Sequence, residues 1–207
     1  MLIFKALSAL LSYPSEEMRQ ALPEIADVVG KASSLNSARR GDLRALIDEL
    51  GRDDLLTIEE RYVDLFDRGR ALSLHLFEHL HGDSRDRGEA MVDLKELYAR
   101  AGFELSTSEL PDYLPVVLEY LSCRDLSEAR EMLVDCAPIL TSIGRSLIAR
   151  QSRYAAILQA LLAIAGEPLI EAAKVPAVKE HIETIDRDWV ERPAFGATPA
   201  PTGPTVA

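Results

Sequence analysis

The stretch that decides the fold runs from Arg61 to Leu94 and reads RYVDLFDRGRALSLHLFEHLHGDSRDRGEAMVDL. It holds three of the four histidines of the chain. On a helical wheel, the apolar residues between positions 74 and 81 fill one arc, and His75, Glu78 and His79 share the opposite arc. The stretch therefore predicts helices, and its polar face supplies the first candidates for a functional site.

Apolar residues recur at helical spacing in the rest of the chain as well, notably at positions 2–11, 139–148 and 154–162. The composition is rich in Leu, Ala, Glu and Arg and poor in Val and Ile, which favours helices over strands. We therefore predict an all-α protein with one compact domain of about seven to nine helices over residues 1–192. Residues 193–207, rich in Ala, Pro, Thr and Gly, are predicted to form a disordered tail.

Residues that prefer helix ends set the predicted boundaries. The predicted starts, in chain order, are Ser15, Asn36 or Ser37, Thr57 (or Asp53 or Asp54), Ser84, Asp112 and Ser127. The predicted stops include Gly51, Gly102 and Pro138. A last, less apolar helix is predicted over residues 177–189.

The net charge and the cysteines indicate which partners and which cellular compartment suit the protein. A net charge of −11 predicts an acidic surface that repels nucleic acid and anionic membranes and attracts cationic partners. The two cysteines, Cys123 and Cys136, have no metal-like spacing and suit a reduced, cytoplasmic protein. The longest nearly apolar run, residues 155–165, is too short to span a bilayer. We expect no membrane insertion.

The segment His75-Leu76-Phe77-Glu78-His79 matches the H-x-x-E-H motif of certain zinc peptidases. Both imidazoles could reach one metal ion from a single helical face, but a third ligand has no distinctive motif elsewhere. A zinc hydrolase that uses these residues remains the alternative. We favour a polar helix face that is solvated or lines a groove, with no metal site and no catalytic residue.

Two segments carry a family resemblance. The first is the helix end Tyr62-Val63-Asp64-Leu65-Phe66, and the second is ELPDYLPVVLE at positions 109–119, a Pro-Asp turn that leads into an apolar helix. Both resemble the all-helical redox-enzyme maturation chaperones of the TorD-like family. The intervening residues 72–94, together with the Leu-Ser-Tyr-Pro segment near the start, resemble more narrowly the nitrate reductase assembly chaperones, or delta subunits. The likeness spans residues 1–162.

This resemblance implies a cytoplasmic, non-catalytic chaperone that holds no cofactor stably. Its partner would be the basic N-terminal segment of the catalytic alpha subunit of a nitrate reductase. It would keep that subunit ready to receive molybdopterin guanine dinucleotide and delay its docking at the membrane. A chaperone of another molybdenum oxidoreductase is the alternative within the family.

The resemblance and the helical wheels together predict a peptide-binding groove between two helices. The resemblance points to six matching positions: Tyr62, Leu65, Phe66, Pro111, Asp112 and Tyr113. The wheels add the carboxylates Glu59 and Glu119 beside the apolar arcs, and His75 and His79 on the polar face. An apolar groove edged by carboxylates suits a basic amphipathic helix.

Overall fold

The computed structural model describes residues 1–81, 86–105 and 109–176, and these residues form nine α-helices. The helices are α1 (Leu2–Leu11), α2 (Glu16–Lys31), α3 (Ser37–Arg52), α4 (Leu55–Phe66), α5 (Leu76–His81), α6 (Asp86–Arg100), α7 (Leu114–Ser122), α8 (Leu126–Ala149) and α9 (Ala155–Ala165). Two short 3-10 turns, Arg70–Leu72 and Ala172–Lys174, complete the described secondary structure. The predicted all-α class is confirmed. The predicted helix over 177–189, the boundary at residue 192 and the tail lie outside the described residues.

Helices α1, α7, α8 and α9 form the centre of the core. Helix α9 is buried almost all round, because α8 packs along one side of it and α3 along another. Helix α1 packs along α7 and buries Phe4, Leu7 and Leu11. Their side chains belong to one apolar cluster that continues into α2, α3 and α4.

Helix α8 is long and apolar enough to cross a bilayer by length and composition alone. Its apolar side, which includes Leu133, Leu140 and Leu147, is fully buried against the rest of the protein. Its other side carries exposed charged residues such as Glu131 and Asp135. This pattern is that of a core helix in a folded domain.

Three of the predicted helix starts are supported by hydrogen bonds from the first turn. The Met18 amide donates to the Ser15 hydroxyl oxygen, and the Arg39 amide donates to the Asn36 side-chain oxygen, at 3.2 and 2.9 Å. For α4 the Asp54 alternative is correct, because the Thr57 amide donates to its carboxylate at 3.0 Å. The predicted stop at Gly102 is also confirmed, since its φ of 71° ends α6 in the left-handed region.

Two predicted breaks fall inside helices. Gly51 lies in the last turn of α3, which ends at Arg52, because the backbone bonding continues as far as the Asp53 amide. Pro138 lies inside α8, which runs unbroken from Leu126. Pro138 itself is exposed, whereas the neighbouring Ala137 and Ile139 are buried, so packing on both sides compensates for the missing backbone hydrogen bond.

Helix α6 has a shallow attachment to the rest of the protein. Tyr98 is its only fully buried side chain among the residues described. The Tyr98 hydroxyl donates to the Pro111 carbonyl oxygen at 2.9 Å, and its ring lies 4.6 Å from the ring of Tyr120. Tyr98 is therefore the main buried contact of this helix, beside the partly buried Leu94 and the pairing of Arg87 with Glu78 of α5 at 3.3 Å.

The buried side chain of Gln159 fixes the segment that follows α9. Its amide nitrogen donates to the Ile170 carbonyl oxygen at 2.8 Å, and its amide oxygen accepts from the Ile170 amide at 3.1 Å. Both backbone groups of Ile170 are thereby satisfied where water is excluded, so the chain folds back on α9 at this point.

Replacing Gln159 should therefore destabilise the fold. We expect Gln159→Met to lower the free energy of unfolding by about 2–4 kcal/mol, because two buried backbone groups lose their partners. Urea unfolding followed by circular dichroism measures this change. The matched control is Gln20→Met, at an exposed position on α2, which should change stability by less than about 0.5 kcal/mol. Equal effects of the two substitutions would contradict the role given to Gln159.

Candidate functional site

A cavity of about 490 Å³ opens where the end of α1, the end of α4 and the start of α7 meet. Its lining combines aromatic rings with carboxylates. The rings are those of Tyr13, Tyr62, Phe66 and Tyr113, and the carboxylates are those of Asp67, Glu109 and Glu119. No lysine or arginine of the described chain lines it. The cavity is thus suited to a ligand with both apolar and cationic groups.

The hydroxyl of Tyr62 joins three parts of the cavity wall. It donates to the Leu11 carbonyl oxygen at the end of α1 at 2.8 Å, and it lies 2.9 Å from the Tyr113 hydroxyl. Because the carbonyl can only accept, Tyr113 donates to the Tyr62 oxygen. Burial raises the pKa of both tyrosines, so both remain neutral hydrogen-bonding groups at physiological pH.

Aromatic packing holds the Tyr62 ring in place. The Tyr62 and Phe66 ring centroids lie 4.8 Å apart, and the Phe66 ring meets Tyr154 edge-on at 5.2 Å. Tyr13 meets Tyr62 edge-on at 5.5 Å from the solvent side and remains 52% exposed. The wall is therefore closely packed at its base and open to solvent at Tyr13.

Two extended segments meet beside the cavity, at the approaches to α5 and α7. The Leu114 amide donates to the Leu74 carbonyl oxygen at 2.8 Å, and the Leu76 amide donates to the Asp112 carbonyl oxygen at 3.0 Å. These bonds make an isolated antiparallel bridge between His75 and Tyr113. The bridge sets both side chains against the cavity, with their rings 5.2 Å apart.

The carboxylate of Asp112 supports this bridge from inside the protein. It is fully buried, and it accepts hydrogen bonds from the Phe77 amide at 3.1 Å and from Nδ1 of His75 at 3.2 Å. The predicted role of Asp112 as the cap of α7 is wrong. Helix α7 begins at Leu114 after Tyr113, which caps it with no side-chain bond, because the extended segment turns the Asp112 carboxylate towards α5.

The three polar residues of the H-x-x-E-H motif have three different partners. His75 precedes α5 and bonds to Asp112, whereas Nε2 of His79 donates to the Ser73 carbonyl oxygen at 2.9 Å. Glu78 pairs with Arg87 at 3.3 Å. The predicted placement of both imidazoles on one helical face is therefore wrong, because α5 starts one residue after His75. Within the described ranges, no group of three or more His, Cys, Asp or Glu residues could hold a metal ion.

A sequence model of the nitrate reductase delta subunit matches residues 14–159, well over half of the chain. The chain belongs to the nitrate reductase delta subunit family.

The chain is also similar to individual members of the delta subunit family. The chain is 40% identical over 190 residues to the nitrate reductase molybdenum cofactor assembly chaperone NarJ of Escherichia coli K12, with 89% of this chain and 80% of that one covered. It is 32% identical over 176 residues to the probable NarJ chaperone of Bacillus subtilis, covering 77% of this chain and 86% of that one. The resemblance read from positions 62–66, 72–94 and 109–119 is thus confirmed.

A solved structure supports the fold of this chain. A putative redox enzyme maturation protein from Archaeoglobus fulgidus superposes with a TM-score of 0.55 at 22% identity, covering 76% of this chain and 88% of that chain. At this identity the likeness concerns the fold alone. It agrees with the predicted TorD-like architecture.

The ten predicted site residues of this family member divide into two groups of five. Those that line the cavity are Tyr62, Phe66, His75, Tyr113 and Glu119. Those that do not line it are Glu59, Leu65, His79, Pro111 and Asp112. In the second group, Leu65, Pro111 and Asp112 are buried, and Glu59 and His79 are half-buried.

Sequence reasoning missed the part of the site that comes from α1 and from two loops. Ser8, Ser12 and Tyr13 line the cavity from the end of α1, and Asp67 and Glu109 line it from loops. The Leu-Ser-Tyr-Pro segment at positions 11–14 is part of the family resemblance, and its tyrosine is the available signal. Glu109 opens the family segment 109–119, which was its available signal, whereas no pattern in the sequence marks Asp67.

The His75–Asp112 pair predicts how stability depends on pH. The hydrogen bond to Asp112 raises the pKa of His75, while burial opposes it. The stabilising contribution is therefore complete below the unfolded-state pKa of about 6.5 and is lost as pH rises through the higher folded-state pKa. We expect His75→Gln to cost more free energy of unfolding at about pH 6 than at about pH 8, by no more than about 2 kcal/mol. Urea unfolding across this range measures the difference.

The control for this prediction is the Asp112→Asn background. There the extra cost of His75→Gln at about pH 6 should be lost, because the amide carries no charge to favour the imidazolium and burial of the ring then disfavours its protonation. An unchanged pH dependence in that background would assign it to other groups.

Proposed function

We propose that this chain is a cytoplasmic, non-catalytic chaperone of a nitrate reductase. It binds the basic N-terminal segment of the catalytic alpha subunit, keeps the apo-subunit ready to receive molybdopterin guanine dinucleotide, and delays its docking at the membrane. The chaperone itself holds no cofactor stably. The family membership supports the client class, since relatives are named as nitrate reductase molybdenum cofactor assembly chaperones.

The observation that carries the proposal is the cavity between α1, α4 and α7. It offers rings for the apolar face of a peptide helix and carboxylates for its basic residues. An amphipathic helix lays its apolar face in a groove, and its basic residues can pair with carboxylates at the rim. A net charge of −11 adds a long-range attraction for a basic segment, which raises the association rate.

The expected affinity is moderate. Burial of about 400 Å² of apolar peptide and groove surface contributes roughly 10 kcal/mol at about 25 cal/mol per Å². Loss of rigid-body freedom and ordering of the peptide remove several kcal/mol. The balance is a micromolar to sub-micromolar complex, which suits a chaperone that must release its client.

The polar side chains of the site hold the fold together, and this supports the proposal that the chain is a binding protein. The Asp112 carboxylate, His75, Tyr62 and Tyr113 all use their hydrogen bonds to hold neighbouring segments together. The cavity wall is thereby preorganised for a ligand, which lowers the cost of binding.

The direct test is calorimetry with synthetic N-terminal peptides of molybdenum-enzyme catalytic subunits. We expect the nitrate reductase alpha-subunit peptide to bind at micromolar or tighter affinity, and peptides from other molybdenum oxidoreductases to bind at least about tenfold more weakly. Tighter binding of a different client would favour the alternative within the family. Absence of binding by every peptide would refute the leader-binding proposal.

The cavity residues should divide into those that steer the client and those that retain it. Glu119→Gln should mainly slow association of the peptide and flatten its dependence on salt, because it removes a charge and little contact area. Phe66→Ala should mainly speed dissociation, because it removes apolar contact. Stopped-flow fluorescence with a labelled peptide measures both rates.

Two controls accompany this experiment. Glu24→Gln removes an exposed charge of α2 that does not line the cavity, and it should leave both rates within about twofold of the parent. Thermal melts of Phe66→Ala are needed because Phe66 is buried and its loss should cost about 3–5 kcal/mol of stability. A Glu119→Gln variant whose association matches Glu24→Gln would exclude Glu119 from steering.

A further inference from the structure

We propose that the cavity between α1, α4 and α7 is a subsite for a single arginine side chain of the client. Its guanidinium would lie against the tyrosine rings and pair with the carboxylates of Asp67, Glu109 and Glu119. This inference rests on the proposed function, because it names the client group that the same site selects.

The carboxylates of the cavity have no lysine or arginine partner within the described protein. Asp67, Glu109 and Glu119 come from three separate segments, and none of them pairs with a lysine or arginine of residues 1–81, 86–105 or 109–176. Among the described lining residues, His75 is the side chain that can become cationic, and its Nδ1 is already bonded to the buried Asp112. Three carboxylates around one opening repel each other, and a cation between them relieves that repulsion.

By contrast, two acidic residues at the end of α3 are paired with arginines. Glu49 is shared by Arg61 and Arg153, both at 2.8 Å, and Asp53 pairs with Arg61 at 2.6 Å. These pairs join α3, α4 and the turn before α9. The half-buried carboxylates that join these helices are thus paired with arginines, whereas no arginine of the described residues lines the cavity.

Two of the carboxylates raise the pKa of the same hydroxyl group. The pKa of Tyr113 is raised mainly by burial, and the negative charges of Glu109 and Asp67 raise it further. Both carboxylates line the same cavity as Tyr113, although Asp67 comes from the end of α4 and Glu109 from the approach to α7. A cation held beside Tyr113 would be within reach of both.

The aromatic rings favour guanidinium over ammonium. Tyr13 is 52% exposed at the mouth of the cavity, and the Tyr113 ring forms part of the wall behind it. A planar guanidinium can stack on a tyrosine face and bond two carboxylates with its fixed donors, whereas an ammonium is a compact and more strongly hydrated charge. The volume of about 490 Å³ lies within the ~300–1,000 Å³ of small-ligand sites.

The first experiment uses a small probe and the whole chain. N-acetyl-arginine methylamide is titrated into ¹⁵N,¹³C-labelled protein at constant ionic strength, with the citrulline and lysine analogues as neutral and ammonium comparisons. We expect saturable shifts of the Tyr13, Tyr62 and Tyr113 ring signals with the arginine probe at millimolar to tens of millimolar concentration. The citrulline probe should give none, and the lysine probe should bind at least about threefold more weakly.

A matched pair of variants links the shifts to the three carboxylates. The triple variant Asp67→Asn/Glu109→Gln/Glu119→Gln should lose the arginine-induced shifts. The control Glu24→Gln/Glu60→Gln/Glu131→Gln removes the same charge from exposed positions outside the cavity and should keep them. Shifts that are absent, that are equal for citrulline or lysine, or that persist in the first variant would overturn the proposal.

The second experiment separates this subsite from the proposed function. Each arginine of the nitrate reductase alpha-subunit N-terminal peptide is replaced in turn by citrulline, and affinities are measured by calorimetry for the parent and the cavity triple variant. One replacement should weaken binding to the parent by about tenfold or more, and to the triple variant by less than about twofold. If the peptide binds but no replacement shows this coupling, the arginine subsite is wrong and the chaperone function stands. If no peptide binds, the function fails, and the probe titration still decides the subsite.

Discussion

The buried carboxylate of Asp112 is the interaction on which the geometry of the site depends. A charge removed from water is costly unless its hydrogen-bonding capacity is filled, and breaking such an arrangement costs several kcal/mol. Here the Phe77 amide and the His75 ring fill it, so the approaches to α5 and α7 must lie side by side. That constraint places Tyr113 next to Tyr62 and thereby closes one wall of the cavity.

Some residues of the cavity wall belong both to the core and to the surface proposed for recognition. Phe66 and Tyr62 are core residues of α4, and their outer edges are also cavity surface. The carboxylates at the mouth belong to exposed side chains, and none of them is part of the core. Apolar contact area is thus fixed by the fold, whereas the charges around the opening can differ among family members without disturbing packing.

The sequence was sufficient for the elements and insufficient for their contacts. Ser15, Asn36 and Asp54 act within one helical turn, so their capping could be read locally. Gly51 and Pro138 were misread because packing of neighbouring residues outweighs a local preference for a helix end. Half of the predicted site residues line the cavity, since the family motifs of α4 and α7 mark its walls. Asp67 lies outside these motifs, and Glu109 opens the second motif without any pattern that assigns it to the site, because the approach of the two depends on how loops from distant positions meet.

Helix α6 gives the molecule an uneven distribution of local stability. Tyr98 is its single fully buried side chain in the described structure, so α6 can leave the surface with the loss of little more than one aromatic anchor, its hydrogen bond to Pro111 and the Arg87–Glu78 pair. Opening free energies in proteins range from near zero to the global value, and elements with little buried area lie at the low end. Amide hydrogens of α6 should therefore exchange with solvent through a local opening, while those of α9 exchange only when the whole domain unfolds. A protease would make its first internal cut at α6 for the same reason, and the core around α9 would survive that cut.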